Sequence, residues 1–347
     1  MSNSRVMTVL ESLNLGLHHA FEQDESVVLL GEDILDPYGG AFKVTKGLSS
    51  SYPDRVLTTP ISEAGIVGIA GGMALRGARP VVEIMFGDFL TLAADQLINH
   101  LAKFRYMYND QVNVPVVIRT PMGGRRGYGP THSQTLEKHY LGVPGLQVLA
   151  PFHIKGDDPL GAPGKLLSDM ILTSQDPVLF IENKLQYLLP LVTPQTFPDH
   201  VCEQLPAGSS DQAPTYIIRI AHAPAARISL VTYGYMAHLA MQAQHRLAFE
   251  NEIFVEIVVP TCLAPLQVEA LVSSVRQTGN LITLEEAAAG WGFGTEVIAQ
   301  FACKLGGDLR RSRCITAQPS HVPSGRQLEE ATLPGVDEII AAARELV

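Results

Sequence analysis

The sequence predicts two α/β domains, each built on a mainly parallel β-sheet that helices cover on both faces. Strand-length apolar runs alternate with helix-length amphipathic segments along almost the whole chain. The runs are nearly continuous in Val, Ile and Leu, which is typical of strands buried on both faces. The length, 347 residues, exceeds what one ordinary hydrophobic core organises and fits two domains.

The first half of the chain contains the clearest alternation. Its predicted strands are Val27–Leu30, Pro80–Met85, Val114–Arg119, Leu146–Ala150 and Val178–Glu182. The helical patterns that separate or precede them are Val6–Phe21, Glu63–Arg76, Leu90–Tyr106 and Lys165–Thr173. Helices between successive strands favour parallel pairing, because a parallel pair needs a long crossover connection.

A polar segment rich in proline, residues 192–215, interrupts the pattern and predicts a linker. It includes the Gly208–Asp211 cluster, has no sustained apolar period, and could hold a short edge strand. We therefore expect domains at residues 1–191 and 216–347. The predicted strands of the second domain are Ile228–Thr232, Ile253–Val259, Leu281–Glu285 and Cys314–Ala317. Its predicted helices are Ala237–Phe249, Pro265–Arg276, Gly294–Leu305 and Val336–Leu346.

Composition excludes several classes of protein. Hydrophobic residues make up 46% of the chain and the net charge is −10, so a disordered chain is excluded and nucleic acid is not the expected partner. The N-terminus lacks the apolar core of a signal peptide, and no apolar run is long enough to span a membrane. The four cysteines have neither zinc-site nor disulfide-framework spacing. We expect a cytoplasmic protein with reduced thiols and no metal site of its own.

Two glycine-rich stretches resemble nucleotide-binding loops only in part. Gly290–Gly294 follows a predicted strand, but Val297 stands where a third glycine is needed, so we expect a strand-to-helix turn. Pro159–Lys165 ends like a phosphate loop, but Leu166 replaces the residue that would hold magnesium. We interpret this second stretch as a surface loop.

The most informative segment is Thr59–Gly72, in which Ser62 is a plausible N-cap and Glu63 begins a helix. A glutamate in the first turn has a simple explanation, since the helix dipole favours negative charge there. The helix body is less ordinary, because each glycine costs about 1 kcal/mol relative to alanine in a helix interior. A carboxylate beside a face with few side chains suits a buried site at which another helix or a ligand approaches closely.

Several longer stretches together resemble one known family. They are ISEAGIVGIAGGMALRGARPVVE, FGDF, DQLINHLAKFRYM, GPTHSQTLE, LLGEDILDPYGGAFKVTKGL and LITLEEAAAGWGFGTEV. The chain resembles the beta subunits of thiamine-diphosphate-dependent 2-oxo acid dehydrogenases of the pyruvate and branched-chain types, within the transketolase superfamily. The resemblance implies a pyrimidine-binding transketolase-like domain followed by a C-terminal transketolase-like domain.

The resemblance also implies roles for particular residues. Glu63 matches the glutamate that hydrogen-bonds N1′ of the aminopyrimidine, a role that suits a buried carboxyl group. Phe89 matches the aromatic residue that stacks on that ring, although a core aromatic beside Phe86 is the simpler interpretation of the residue alone. Glu32 is likewise implied to contact the cofactor.

A loop histidine completes the implied site. His132 matches the histidine that faces the thiazolium and assists acyl transfer to a lipoyl group, whereas a lone loop histidine is more often simply solvated. Arg125 and Arg126 make the same loop basic. They would attract a 2-oxo acid carboxylate or an acidic carrier domain, or form a solvated charge pair.

A missing motif predicts a partner. The superfamily holds the diphosphate through Mg²⁺ with a Gly-Asp-Gly motif followed by Asn, and Gly-Asp-Gly does not occur in this sequence. The resemblance therefore implies an alpha subunit that supplies the metal and phosphate contacts in an α2β2 assembly. The resemblance also implies a structural potassium ion near the strand preceding Pro177, but the match at Thr173–Asp176 is imperfect and assigns no ligands.

Three departures from the family leave the acyl acceptor open. Phe152–Lys165 is longer than the usual turn, Ser320–Arg326 lacks the usual proline and aromatic residues, and the linker is unusually polar. The leading hypothesis is decarboxylation of a 2-oxo acid with acyl transfer to a lipoyl carrier. One alternative is a transketolase/dehydrogenase hybrid subunit that passes a two-carbon ketol or acyl unit to an acyl-carrier protein in a biosynthetic pathway. The other is a non-catalytic regulatory or scaffold subunit.

Overall fold

The computed structural model describes residues 5–205 and 213–347. The Gly208–Asp211 cluster of the expected linker lies outside the described residues. The chain divides into two compact units. The first unit contains the residues up to Met122 and His139–Val192, and the second contains Gly123–Lys138 and Thr193–Val347. The loop that carries His132 therefore belongs to the same unit as the C-terminal half of the chain.

The first unit is a layered α/β structure. Its strands are β1 (Val27–Gly31), β2 (Val56–Thr58), β3 (Arg79–Glu83), β4 (Val117–Met122), β5 (Gln147–Leu149) and β6 (Val178–Asn183). Its helices are α1 (Val9–Gln23), α2 (Leu48–Ser51), α3 (Glu63–Ala74), α4 (Ala102–Met107) and α5 (Gly161–Thr173). Its strands lie in the order β5-β6-β4-β3-β1-β2, and every neighbouring pair of this series is parallel. The predicted α/β class is confirmed, and the carboxyl ends of the strands share one edge, where ligands bind in folds of this kind.

The stretch expected to be a surface loop instead begins a packed helix. Helix α5 starts at Gly161, and its Gly164 lies against α1 so closely that an added Cβ would collide with the Ser12 carbonyl oxygen. The Ser12 hydroxyl accepts a hydrogen bond from the Gly164 amide at 2.9 Å and donates one to the Leu160 carbonyl. The glycines of this stretch therefore allow a close helix crossing, which an interpretation based on glycine and proline content misses.

The single helix expected over Leu90–Tyr106 is wrong. Gly87–Ala93 forms a 3₁₀ segment, Gln96–Leu101 a π-helical segment, and only α4 is α-helical. The spacing of apolar residues shows which face of a helix is buried. It does not determine whether the backbone hydrogen bonds are of the 3₁₀, α or π type. Phe89 consequently lies in the 3₁₀ segment that follows β3.

The second unit has a mixed sheet. Its strands are β7 (His200–Leu205), β8 (Thr215–Ile220), β9 (Ile228–Thr232), β10 (Val255–Pro260), β11 (Cys262–Ala264), β12 (Asn280–Ala288) and β13 (Arg311–Ala317). Its helices are α6 (Gly234–Asn251), α7 (Val268–Thr278), α8 (Phe293–Leu305), α9 (Arg326–Thr332) and α10 (Val336–Leu346). The sheet order is β13-β12-β9-β10-β8-β7, parallel as far as β10 and antiparallel in its last two pairs. Strand β7 lies inside the predicted linker, as an edge strand whose side chains alternate in exposure.

Some features are absent from the part of the chain that the structure describes. No helix there combines the length and apolar character needed to cross a membrane. No group of three or more metal-ligating side chains occurs there either. All four cysteines lie within the described residues, and none of them forms a disulfide bond there.

Candidate functional site

The first candidate residue, Glu63, lies at the beginning of α3 and is 5% exposed. Ser62 occupies the N-cap position as predicted, but its side chain makes no capping hydrogen bond. Of the helix glycines, Gly68 and Gly71 face the Gln96–Phe104 region, where a Cβ would lie 3.2 Å from Gln96 Oε1 and 3.0 Å from Leu101 Cδ1. A Cβ on Gly72 would meet nothing within 4 Å. Close packing within the unit therefore explains Gly68 and Gly71. It does not explain Gly72, which lies on an open face of the helix.

Glu32 lies beside Glu63, immediately after β1. Its carboxylate accepts a hydrogen bond from the Ser62 amide, which ties the end of β1 to the start of α3. Burial raises the pKa of Glu32, and the neighbouring charge of Glu63 raises it further. Among the described residues, Glu32 Oε1 is buried without a hydrogen-bond partner. A buried acceptor without a partner is costly unless something else satisfies it, so this pair of carboxyl groups suits a polar ligand.

Phe89 is half-buried in the 3₁₀ segment, with its ring centroid 5.9 Å from that of Phe86. Phe86 in turn lies 5.8 Å from Phe42, and Lys184 Nζ lies 5.2 Å from the Phe86 ring centroid. Phe86 therefore lies beside Phe89, as expected if Phe89 is a core aromatic residue. A stacking role for Phe89 stays a prediction.

A buried charge network in this unit was not predicted from the sequence. Arg119 is 1% exposed and donates through Nε to Glu182 Oε1 at 2.8 Å, through Nη2 to Glu182 Oε2, and through Nη1 to Glu83. The Tyr187 hydroxyl donates to Glu182. Burial raises the pKa of Glu83, against the opposing effect of Arg119. A charged residue within an otherwise apolar strand indicates a buried ion pair, because charged residues are rarely buried unless they are paired. This was the sequence signal for the network.

His132 lies in the second unit, in the Gly123–Lys138 loop. Its Nδ1 is 2.9 Å from the Thr131 hydroxyl oxygen, and its amide donates to the Gly129 carbonyl at 3.3 Å. The Gly123 amide donates to the Gln134 carbonyl at 3.3 Å, which closes the loop on itself. Glu32 and Glu63 are thus brought together within one unit, and His132 is held by the other.

The two arginines of this loop differ. Arg125 is half-buried, and its guanidinium donates to the Pro334 carbonyl within the second unit. Arg126 is exposed. The Arg125 guanidinium is therefore partly engaged by a backbone carbonyl of its own unit, and a ligand-binding role for either arginine stays a prediction.

An arginine occupies the carbonyl cluster near the expected potassium position. Arg79 Nη1 donates to the carbonyl of Ile171 at 2.9 Å and to that of Ser174 at 3.0 Å, at the end of α5. Arg79 Nε also lies 3.5 Å from Asp24 Oδ2. A guanidinium is well placed at a helix C-terminus, where the carbonyl groups lack intrahelical partners.

A glutamate side chain binds the backbone amides of the glycine-rich Gly290–Gly294 turn. The carboxylate of Glu285 accepts the amides of Phe293 and Gly294 at 3.0 Å each, at the start of α8. A Cβ on Gly292 would lie 2.5 Å from that carboxylate. The helix N-terminus that a nucleotide phosphate would use is thus already satisfied by a side chain.

The pKa of Glu285 predicts a pH-dependent stability. Burial, followed by the nearby charge of Glu137, raises the pKa of Glu285 to about 7. The folded state therefore binds this proton more tightly than the unfolded state, so the contribution is complete below the ordinary value of 4.5 and is lost as the pH rises to about 7. We expect the contribution of Glu285 to the free energy of unfolding to fall by roughly 3 kcal/mol across this window, as measured by urea denaturation of matched variants at a series of pH values.

Matched variants isolate this contribution. Glu285→Gln should flatten the pH slope, whereas Glu296→Gln, at an exposed first-turn position of the same helix, should leave it unchanged. An unaltered slope in Glu285→Gln would assign the pH dependence to other groups.

Comparison with known proteins places the chain in a class. Residues 5–188 match the transketolase pyrimidine binding domain, and residues 219–339 match the transketolase C-terminal domain. A solved structure of a split-gene transketolase, described as an inactive beta4 tetramer, superposes with a TM-score of 0.74 over 98% of each chain, at 18% identity. The fold is therefore that of a two-domain transketolase-type chain.

Sequence relatives narrow the class to a family. The acetoin:2,6-dichlorophenolindophenol oxidoreductase subunit beta of Cupriavidus necator is 34% identical, covering 99% of this chain and 98% of its own. The mitochondrial pyruvate dehydrogenase E1 component subunit beta-2 of Oryza sativa subsp. japonica is 35% identical, covering 98% and 86%. The chain belongs to the family of E1 beta subunits of 2-oxo acid dehydrogenases. The predicted resemblance is confirmed.

Proposed function

We propose that this chain is the aminopyrimidine-side subunit of a thiamine-diphosphate-dependent 2-oxo acid dehydrogenase. The observation that carries the proposal is the buried pair of Glu32 and Glu63 at the carboxyl edge of a parallel sheet, with Glu32 Oε1 lacking a partner among the described residues. An aminopyrimidine ring offers the hydrogen-bonding atom that Glu32 Oε1 lacks among the described residues. The residues present therefore fit the pyrimidine end of the cofactor.

Four residues of this chain would have separate roles in the reaction. When bound, thiamine diphosphate supplies a nucleophilic carbon and an electron sink for the loss of CO₂ from a 2-oxo acid. Glu63 would hold a proton at the ring nitrogen N1′, and Glu32 would supply a second buried carboxyl beside it. Phe89 would support the ring face. His132 would donate or accept a proton as the acyl group leaves for its acceptor, because imidazole titrates near neutral pH.

The other end of the cofactor requires a second chain. The sequence has no Gly-Asp-Gly motif, and the described residues contain no cluster of metal ligands. We propose an alpha subunit that carries this motif, holds Mg²⁺ and the diphosphate, and assembles with the present chain as α2β2. The split-gene transketolase of the same fold is described as inactive in its beta4 form, which agrees with a requirement for a partner.

The acyl acceptor is proposed to be a lipoyl domain. The family of the relatives favours a 2-oxo acid dehydrogenase over a ketol-transferring hybrid that delivers to an acyl-carrier protein. The buried pair of Glu32 and Glu63 also argues against a non-catalytic scaffold. A scaffold has no need of a buried carboxyl oxygen without a hydrogen-bond partner, which is costly to stability.

The experiment that tests this function separates two steps in the assembled enzyme. For His132→Ala we expect thiamine-dependent reduction of an artificial dye by pyruvate or a branched 2-oxo acid to survive in part. Transfer to a lipoyl domain should fall on the order of 10²-fold or more, because general acid–base assistance is lost. His139→Ala, at an exposed histidine seven positions later in the sequence, serves as the control. An equal loss of both steps in His132→Ala would contradict the assigned role.

A further inference from the structure

The loop that carries His132 is held by a buried carboxylate from a distant part of the second unit. Glu329, in α9, is 3% exposed. Its Oε1 accepts the Arg125 amide at 2.7 Å, and its Oε2 accepts the Gly127 amide at 3.1 Å. One carboxylate therefore bridges two loop amides that lie two residues apart.

This bridge holds an unusual backbone conformation. Arg125 has φ 66° and Gly127 has φ 69°, both in the left-handed region. A left-handed arginine is costly and persists only where its surroundings enforce it, and such positions cluster at functional sites. The Glu329 carboxylate enforces it here, because both of its oxygens accept amides in this turn.

Other contacts make the same turn rigid at its ends. The Gly124 amide donates to Glu286 Oε1 at 2.6 Å. A Cβ on Gly124 would lie 2.6 Å from Leu333 Cδ1, in the small core that Leu333 forms with Ala317 and Val322. At the far end, Lys138 Nζ donates to the Ala288 carbonyl at 3.0 Å. The loop is thus fixed at both ends, and Glu329 defines the turn just before its histidine.

We propose that Glu329 is a positioning residue that sets the placement of the His132 loop for acyl transfer. This rests on the proposed function, in which His132 acts in that step. The carboxylate itself does not touch the reacting groups; it acts through the backbone of residues 125–127. A displacement of about 1 Å in a catalytic group is enough to lower a rate on the order of a hundredfold.

The test compares variants in the assembled enzyme, again with dye reduction for decarboxylation and a lipoyl domain for transfer. Glu329→Ala should lower transfer on the order of a hundredfold and leave decarboxylation close to that of the unmodified enzyme. Glu329→Gln, which keeps one oxygen acceptor, should restore part of the loss. Glu330→Gln is the matched control, since this neighbour in α9 pairs with Arg326 at 2.9 Å on the surface.

A double variant distinguishes positioning from independent damage. If Glu329 acts through His132, then Glu329→Ala combined with His132→Ala should transfer no more slowly than His132→Ala alone. Faster hydrogen exchange of the amides of residues 124–127 in Glu329→Gln would further support the proposal.

Each contrary outcome has a distinct meaning. If His132→Ala leaves transfer intact, the proposed function fails at that residue. If His132→Ala impairs transfer but Glu329→Ala does not, the positioning role is wrong and the proposed function stands. An equal loss of both steps in Glu329→Gln, or losses that multiply in the double variant, would assign Glu329 a general structural role and overturn the proposal.

Discussion

Glu63→Gln is expected to abolish thiamine-dependent turnover by the assembled enzyme, with a loss of about 10²–10⁴-fold. The substitution keeps the size of the side chain but removes the ionisable proton that the ring nitrogen would share. Because Glu63 is 5% exposed and lies beside Glu32, water cannot readily replace it. The measurement is dye reduction by the purified α2β2 assembly at saturating thiamine diphosphate.

The control for Glu63 is another glutamate in the first turn of a helix. Glu269 lies in the first turn of α7, is exposed, and pairs with Lys304 at the surface. Glu269→Gln should therefore leave turnover unchanged. Turnover near that of the unmodified enzyme in Glu63→Gln, with the assembly intact, would restrict Glu63 to a favourable charge at a helix N-terminus.

Arg119→Met is expected to lower the free energy of unfolding of the first unit by about 3–5 kcal/mol. The change leaves the carboxylates of Glu83 and Glu182 buried without their shared cation, and an uncompensated buried charge is strongly destabilising. Urea denaturation of the isolated chain, followed by circular dichroism, measures the loss.

An exposed arginine provides the comparison. Arg105 pairs with Asp110 at 3.0 Å and with Asp176 at 3.1 Å, and its side chain is 40% exposed. Arg105→Met should cost at most about 1 kcal/mol, because solvent screens such pairs. Similar losses in the two variants would show that the Arg119 network carries no special burial cost.

Local pattern is sufficient for a strand that is buried on both faces and for a helix that buries one face. Ile228–Thr232 and Val336–Leu346 have the bounds that apolar period predicts. The edge strand β7 is harder to predict, because it buries no residue fully and lies in a segment whose composition resembles a linker. Strand β8 and helix α9 were not anticipated.

The residues of the candidate site likewise differ in how far local sequence predicts them. Glu63 could be found from the helix start and the glycines that follow it, together with family resemblance. The partners in the Arg119 network and in the Glu329 bridge could not be found, because the residues that pair lie far apart in sequence. In the bridge, Glu329 and Arg125 are 204 positions apart, so only the tertiary fold brings them together.

The central claim is that this chain supplies the aminopyrimidine side of a shared site and needs a partner for the diphosphate side. The direct measurement is decarboxylation of a 2-oxo acid in the presence of thiamine diphosphate and Mg²⁺, by the chain alone and after titration with an alpha chain that carries Gly-Asp-Gly. We predict no turnover by the chain alone, and activity that rises until each chain has one partner. Full thiamine-dependent turnover by the chain alone would contradict the claim.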